Sequence, residues 1–222
     1  VVLKSDLCAM NFDPVEGAHH YRDQTGGEGC FDPLKAQEQA ATAGQIPVDV
    51  QAEVDKLTQA DRLVFHFPLW WFAPPAVLKG WFDRVFVHGA LHSVDQRFDS
   101  GRFKGKSAVF CVTAGASHTE SAPGGKEGDI AMLLWPTAYT LRYLGFDVLT
   151  PLIAHDVHGY HQGAQKSQLE HALRSLLDAQ TDLMRGFDTH PRLQFNANAD
   201  FDAAGTLRPD RPSHSHFIRH EV

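Results

Sequence analysis

The stretch DRLVFHFPLWWFAPPAVLKGWFDRVF, residues 61–86, decides the fold of this chain. It opens on the apolar run LVFHF (63–67), which has no polar alternation and is typical of a strand covered on both faces. A proline-rich loop follows, and Pro75 suits the first turn of a helix. Helical spacing of apolar residues then continues over residues 75–87. The stretch therefore predicts a buried strand, a rigid loop and a helix in succession.

The same alternation extends along the rest of the chain. Two further apolar runs, SAVFCVTAG (107–115) and VLTPLIAH (148–155), predict strands that are also buried on both faces. Strand–helix alternation favours an α/β fold with an open, doubly wound parallel sheet. Such sheets bind ligands at the carboxyl ends of their strands, which directs attention to the loops after residues 67, 115 and 155. Helical spacing occupies residues 49–60, 128–144 and 165–186, the last with a stripe of Leu169, Leu173, Leu176, Leu177 and Leu183.

Composition and charge indicate one globular domain and exclude some classes of binding partner. The chain has 222 residues, 43% of them hydrophobic, which is enough for the buried core of one domain. We assign residues 1–186 to that domain and residues 187–222, which are polar and proline-rich, to a C-terminal tail. The net charge of −7 argues against nucleic acid or an anionic membrane as a partner. No apolar run approaches the ~20 residues that span a bilayer.

The three cysteines indicate neither a disulfide framework nor a zinc site, because their number is odd and no CxxC pair occurs. This usage is typical of a reducing cytoplasm, which is the expected location. The loop HDVHGYHQG (155–163) makes a metal site conceivable, but its spacing matches no common ligand pattern. We therefore expect this loop to border a pocket and expect no metal.

Two of the loops carry side chains suited to a flat ligand. Trp70, Trp71 and Phe72 follow the first strand, and aromatic rings beside a rigid turn can stack on a planar conjugated molecule. The alternative, that these rings fill a core or an interface, stays open on composition alone. In the second loop, residues 113–129, small residues around Gly115 allow a ligand to approach the backbone closely.

The pattern FPLxWFxxPAxLKGWFxRVF within residues 61–86 is long and specific, and it resembles the NAD(P)H:quinone oxidoreductases, the DT-diaphorase group of the flavodoxin-like superfamily. SDLCAMNFDP (5–14) and GDIAMLLWPTAYTLRYLGFDVL (128–149) are similar to other family segments in order and spacing. The resemblance implies a flavodoxin-like, doubly wound parallel sheet. Family members open with a strand and a loop that binds the cofactor phosphates, so we expect this chain to lack the first strand of the fold.

The resemblance implies an oxidoreductase, an NAD(P)H dehydrogenase (quinone), that moves two electrons from NAD(P)H through FAD to a quinone-like acceptor by ping-pong hydride transfer. It also implies a homodimer with two sites at the subunit interface. His92, donated by the other subunit, and Tyr143 would form aromatic walls of the substrate pocket. The flavin would contact Pro68, Leu69, Trp71 and Phe72 from the first loop and Thr113, Ala114, Gly115 and Ala116 from the second.

The chain departs from the family where its mammalian members carry a tyrosine and a histidine credited with stabilising the reduced flavin. Those positions correspond to Ser121, which can still donate a hydrogen bond, and to Glu127. An ionised carboxylate about 4 Å from an anionic ring would cost about 4 kcal/mol at an effective dielectric near 20. Glu127 must then point away or be protonated, or His118 or Lys126 must supply positive charge. Ser121 and His118 are the catalytic candidates.

Three other functions stay open. The chain could be an ancillary flavodoxin-like subunit that regulates a partner protein, or an FMN-dependent azo- or nitroreductase. It could also be an interaction module that binds no flavin, because the sequence shows no phosphate-binding loop. A visible absorption spectrum and the mass of any extracted cofactor would separate these functions.

Overall fold

The computed structural model describes residues 1–21 and 30–221 and forms two compact units. Across the described residues there are five α-helices and one four-stranded sheet, so the predicted α/β alternation is confirmed. The first unit consists of residues 1–63, 74–106 and 143–146, and the second of residues 64–73, 107–142 and 147–222.

The sheet is built around β2 (Ser107–Thr113), one of the strands that the sequence predicts. Every residue of β2 except Thr113 is buried, because the run is apolar and the strand has neighbours on both sides. The carboxyl ends of β2 and β4 lie at the same edge of the sheet because the two strands run parallel. β1 (Arg62–Pro68) lies on one side of β2, and β3 (Asp147–Val148) and β4 (Leu152–Ala154) pair with it in parallel on the other.

Two details of the predicted strands are wrong. Residues 148–155 do not form one strand, because Pro151 has no N–H to donate and lies between β3 and β4. β1 and β4 are also less buried than predicted, with Phe67 and Ala154 as their buried residues. β1 ends the strand order among the described residues, where fewer side chains cover a strand.

The first unit contains a helix that the sequence patterns above do not predict. This helix begins at Pro33 after Asp32, whose side chain accepts a hydrogen bond from Lys35 N at 3.2 Å. It ends at Gly44, which has the left-handed φ of 65° that suits glycine. The glycine-rich residues 22–29 before it lie outside the described residues. The helices of this unit are α1 (Pro33–Ala43), α2 (Val48–Gln59) and α3 (Ala76–Val85).

The second unit contains α4 (Ile130–Tyr143) and α5 (Gly163–Arg185). Within the leucine stripe of α5, Leu183 is the buried residue and Leu177 is 62% exposed. Leu183 packs with Val109, Leu149 and Phe187 in one core cluster. Within the described part of the chain, no helix combines the length and the apolar character needed to cross a membrane.

The predicted tail is part of the second unit and packs against the rest of it from its first residue. Phe187 is fully buried in the cluster just described. Leu193 N donates to Val148 O at 2.8 Å, and the ring of Phe217 lies 5.3 Å from that of Tyr139. The division of the chain between residues 186 and 187 stays a prediction.

Lys106 stabilises the end of α2. Its ammonium donates to the carbonyl oxygens of Leu57, Thr58 and Ala60 at 3.2, 2.6 and 2.8 Å. The last carbonyl groups of a helix have no partner within the helix and carry a partial negative charge, so a lysine there is favourable.

We expect Lys106→Met to lower the free energy of unfolding by about 1–2 kcal/mol, because charge-assisted hydrogen bonds to these carbonyls are lost. Urea unfolding followed by circular dichroism measures the change. The exposed Lys104 serves as the control, and Lys104→Met should stay within about 0.5 kcal/mol of the parent protein. Equal effects of the two substitutions would contradict the capping role.

Candidate functional site

The loop after β1 forms a tight turn that projects two aromatic rings. Trp70 and Ala73 exchange two backbone hydrogen bonds of 3.0 Å, and the central residues, Trp71 and Phe72, have φ angles of 50° and 62°. Positive φ at both central positions is the geometry of a type I′ turn and is uncommon for aromatic residues. Such strain costs about 1–3 kcal/mol per residue and is concentrated at functional sites. Trp71 is 93% exposed despite its size.

Backbone hydrogen bonds join this turn to the loops after β2 and β4. Leu69 N donates to Thr113 O at 2.8 Å, and Ala114 N donates to Ala154 O at 2.9 Å. Val157 N donates in turn to Ala114 O at 3.0 Å. The three loops that the sequence selects as ligand-binding positions are therefore held together.

A cavity of about 360 Å³ lies between the loops after β1 and β2 and the start of α4, and it belongs entirely to the second unit. The loop of residues 155–163, expected to border the pocket, supplies none of the lining residues and supports the cavity wall from behind. This volume is within the range of about 300–1,000 Å³ that is common for small-molecule sites. A Cβ atom added at Gly115 would meet nothing within 4 Å, so the space over this backbone is open to a ligand. The cavity is lined by Leu69, Trp71, Phe72, Ala114, Gly115, Ala116, Ser121, Glu127, Ile130 and Leu133.

Ser121 is a buried polar residue of the cavity wall, with 4% exposure. Its hydroxyl donates to Ser117 O at 2.7 Å and lies 3.2 Å from Nδ1 of His155, which directly follows β4. The ring of His118 packs edge to face against His155 with 5.3 Å between the ring centroids. His118 is exposed and is not one of the lining residues, so its link to Ser121 passes through His155.

The cavity wall contains the carboxylate of Glu127, and the nearby lysine is paired with a different carboxylate. Glu127 lines the cavity, whereas Lys126 pairs with Glu120 at 3.0 Å. Hydrogen bonds from Lys126 and then from Ser117 hold the pKa of Glu120 at about 2, well below its usual value. Glu120 raises the pKa of Lys126, and Glu127 contributes a smaller increase. Glu127 therefore does not lie away from the cavity, and Lys126 is engaged with another carboxylate.

The remaining predicted site residues are placed less directly. Pro68 ends β1 and Thr113 ends β2, each next to a lining residue. His92 and Tyr143 lie in the first unit, where their rings pack edge to face at 5.5 Å. Burial, followed by the charge of His88, lowers the pKa of His92.

Three residues of the site are missing from the predicted set. Ile130 and Leu133 reach the cavity from the first turn of α4, where helical spacing marked them as apolar but not as ligand-facing. His155 bonds to Ser121 across 34 residues of sequence. Its position at the end of a predicted strand was the available signal.

Two clusters of aspartate and histidine also form in the described part of the chain. Their potential ligand atoms lie within 4.8 Å of one another. Several of these atoms already make hydrogen bonds within the protein. Tyr160 N donates to His158 Nδ1 at 3.3 Å, and His161 Nε2 lies 3.1 Å from Asp156 O. The clusters are Asp13, His19 and His20 in the first unit and Asp156, His158 and His161 in the second.

Comparisons with known proteins place this geometry in context. The family described as a flavodoxin-like fold matches residues 2–178 of the chain. NAD(P)H dehydrogenase (quinone) 1 of Rattus norvegicus is 36% identical over 157 residues, which cover 70% of this chain and 57% of that protein. The chain thus spans less than two thirds of the length of this curated relative.

Solved structures give a similar result. A protein from Klebsiella pneumoniae assigned as a quinone reductase superposes with a TM-score of 0.78 at 32% identity, covering 93% of this chain and 81% of that one. General stress protein 14 of Treponema denticola, solved in complex with FMN, gives a TM-score of 0.50 at 27% identity. That match covers 65% of this chain and 79% of the other.

Proposed function

The chain belongs to the flavodoxin-like fold family, and from this premise we propose that it is a flavin-dependent oxidoreductase that reduces quinone-like acceptors with NAD(P)H. The observation that carries the proposal is the cavity in which the aromatic turn at Trp71 and Phe72 meets the small residues 114–116. Aromatic rings and an accessible backbone are what a flat, conjugated ring with polar edges requires.

The residues present fit a flavin ring. Trp71 and Phe72 offer apolar surface for its plane, and the open space over Gly115 lets the ring approach the backbone. Ser121 and the main chain of Gly115 and Ala116 line the cavity and supply hydrogen-bonding groups for its carbonyl and nitrogen atoms. Ile130 and Leu133 add apolar side chains to the cavity wall. We propose that Pro68, Leu69, Trp71, Phe72, Thr113, Ala114, Gly115 and Ala116 hold the ring.

When bound, the flavin supplies the redox chemistry by accepting hydride from NAD(P)H and passing it to the quinone. The protein contributes position and electrostatics. The rigid turn at residues 70–73 fixes the stacking surface, so that nicotinamide and acceptor can occupy the same side of the site in turn. Ser121 is placed to donate to negative charge in the cavity, and Glu127 opposes such charge.

We propose FAD as the cofactor, with FMN as the alternative that the Treponema denticola structure supports. We further propose a homodimer in which His92 and Tyr143, whose rings pack together, are contributed to the acceptor site by a second copy. The catalytic domain proposed on this basis is residues 1–186. The role of His118 in this scheme is to support the serine through His155.

The direct test is a visible spectrum of the full chain after gentle purification in the presence of FAD and FMN. We expect flavin absorbance near 450 nm that is bleached anaerobically by NADH or NADPH and restored by a quinone. Extraction and mass measurement then separate FAD from FMN. A protein that stays colourless with both flavins would overturn the proposal.

Trp71→Ala should weaken flavin binding at least tenfold. An aromatic stack contributes about 0.5–1.5 kcal/mol beyond the area it buries, and about 1.4 kcal/mol corresponds to tenfold in affinity. The neighbouring Trp70 is a matched control because it is 62% exposed and does not line the cavity. Trp70→Ala should change the Kd less than threefold in a fluorescence titration. Equal losses in both variants would contradict the role of Trp71.

A further inference from the structure

His155 is the one histidine in the described residues whose ring bonds to a polar residue of the cavity wall. Its Nδ1 lies 3.2 Å from Ser121 Oγ, and the ring is half-buried at the end of β4. The loop that carries it is fixed by two backbone bonds, from Asp156 N to Ala116 O at 3.1 Å and from Val157 N to Ala114 O at 3.0 Å. The imidazole therefore does not line the cavity itself but contacts Ser121, which does.

The hydrogen bonds of Ser121 determine where the proton of His155 lies. A hydroxyl group has one proton, and the carbonyl oxygen of Ser117, 2.7 Å away, can only accept. The proton shared between Ser121 and His155 must then come from Nδ1 of the imidazole. Neutral His155 is accordingly the Nδ1–H tautomer, with Nε2 as the unprotonated nitrogen.

We propose that His155 is a positioning residue that makes Ser121 a hydrogen-bond donor to the ligand in the cavity. The ligand class is a flat heterocycle that carries negative charge on an edge, and this part of the inference rests on the proposed function. The serine proton can turn from Ser117 O to such a ligand while its oxygen continues to accept from His155 Nδ1–H. A hydroxyl that accepts one hydrogen bond donates a stronger one, because chains of hydrogen bonds polarise one another.

This arrangement also explains how the site can offer a hydrogen-bond donor although Glu127 places a negative charge in its wall. Lys126 is paired with Glu120 and does not line the cavity, so the serine and histidine pair supplies the donor there. The ring of His118 packs edge to face with the same imidazole, at 5.3 Å between the ring centroids. The pair thus depends on a residue in the loop after β4, outside the loop that holds Ser121.

The first test needs no flavin. Nitrogen NMR of the imidazole signals should show neutral His155 as the Nδ1–H tautomer, with the signal identified by its loss in His155→Asn. In Ser121→Ala the same signal should shift toward the Nε2–H tautomer that free histidine prefers. An Nε2–H tautomer in the parent protein would overturn the inference whatever cofactor the protein binds.

The second test measures the midpoint potential of the bound flavin. His155→Ala should reduce the preference for the reduced over the oxidised flavin by tenfold, which is about 30 mV for a two-electron couple. His155→Asn keeps an N–H near the Nδ1 position and should restore the potential to within a threefold change in that preference. His171→Ala, an exposed histidine on α5, is the control and should leave it unaltered.

The two tests separate the possible failures. If the parent protein binds no flavin, the proposed function is wrong, and the tautomer measurement still decides the arrangement of His155 and Ser121. If the flavin binds but its potential is the same in His155→Ala and the parent, the positioning role is wrong and the proposed function stands.

Discussion

Gly125→Ala is expected to weaken flavin binding by more than tenfold, while Gly124→Ala leaves it within threefold of the parent protein. A Cβ atom at Gly125 would overlap the backbone carbonyl group of Glu120, whereas one at Gly124 would meet nothing within 4 Å. Glu120 O also accepts the N–H of Glu127 at 3.0 Å, so relief of the overlap moves the segment that carries Ser121 and Glu127. Both of these residues line the cavity.

The two glycine variants are matched in chemistry and differ only in the space around the added methyl group. Overlaps of this kind commonly cost about 1–3 kcal/mol when they are absorbed by backbone shifts. Flavin titration gives the affinity, and thermal unfolding of the flavin-free proteins gives the stability change. If Gly125→Ala binds flavin as tightly as Gly124→Ala, the loop of residues 117–127 does not form a wall of the binding site.

The fold could be predicted wherever an element has a strong hydrophobic pattern. β2 is a continuous apolar run and α3 has clear helical spacing, and both lie within two residues of their predicted bounds. The flavodoxin-like class, predicted from the resemblance of residues 61–86, is confirmed by the family that matches residues 2–178. The strength of the hydrophobic pattern therefore determined which helices and strands could be predicted.

The elements that were not predicted depend on weaker signals. The buried face of α1 includes Ala36 and Ala40, whose small side chains give little hydrophobic contrast along the helix. The division of the third apolar run into β3 and β4 depends on Pro151, which interrupts the ladder without making the run less apolar.

The sequence could identify the loops that form the site, but not their backbone angles or the contacts between their side chains. The rule that ligands bind at the carboxyl ends of parallel strands selected the two loops that line the cavity and the loop after β4, whose His155 contacts Ser121. The positive φ angles of Trp71 and Phe72 were not predictable, because aromatic residues disfavour that region and the surrounding structure must impose it. Contacts such as that of His155 with Ser121 require the packed loops and cannot be obtained from spacing.

Arg84→Ala should lower the free energy of unfolding by about 3 kcal/mol, the lower end of the cost of removing one partner from a buried ion pair, because Arg84 is fully buried while Asp49 is 45% exposed. The Arg84 side chain is fully buried in the first unit. It donates to Asp49 Oδ2 at 2.7 Å and to Asp13 O at 2.9 Å, and its Nε lies 3.8 Å from Glu16 Oε2. Without the guanidinium, Glu16 keeps a carboxylate that is only 12% exposed and has lost its positive neighbour.

Lys79 on the same helix is the control for this substitution. It pairs with Asp83 one helical turn later, and both side chains are largely exposed, so Lys79→Ala should cost no more than about 0.5 kcal/mol. Urea unfolding of both variants at neutral pH gives the comparison. A loss below about 1 kcal/mol for Arg84→Ala would show that the cluster contributes little to stability.

The pH dependence of unfolding gives a second measure of the same cluster. Burial raises the pKa of Asp49, but its hydrogen bond and charge interaction with Arg84 outweigh this effect, so the pKa lies below the usual value of 3.8. A carboxylate whose pKa is depressed by folding adds stability above its unfolded pKa and loses it as the pH falls through the folded pKa. In Arg84→Ala the depressing interaction is gone while burial persists. The variant should therefore lose less stability than the parent protein as the pH is lowered below about 4, and an unchanged slope in that range would contradict the assignment.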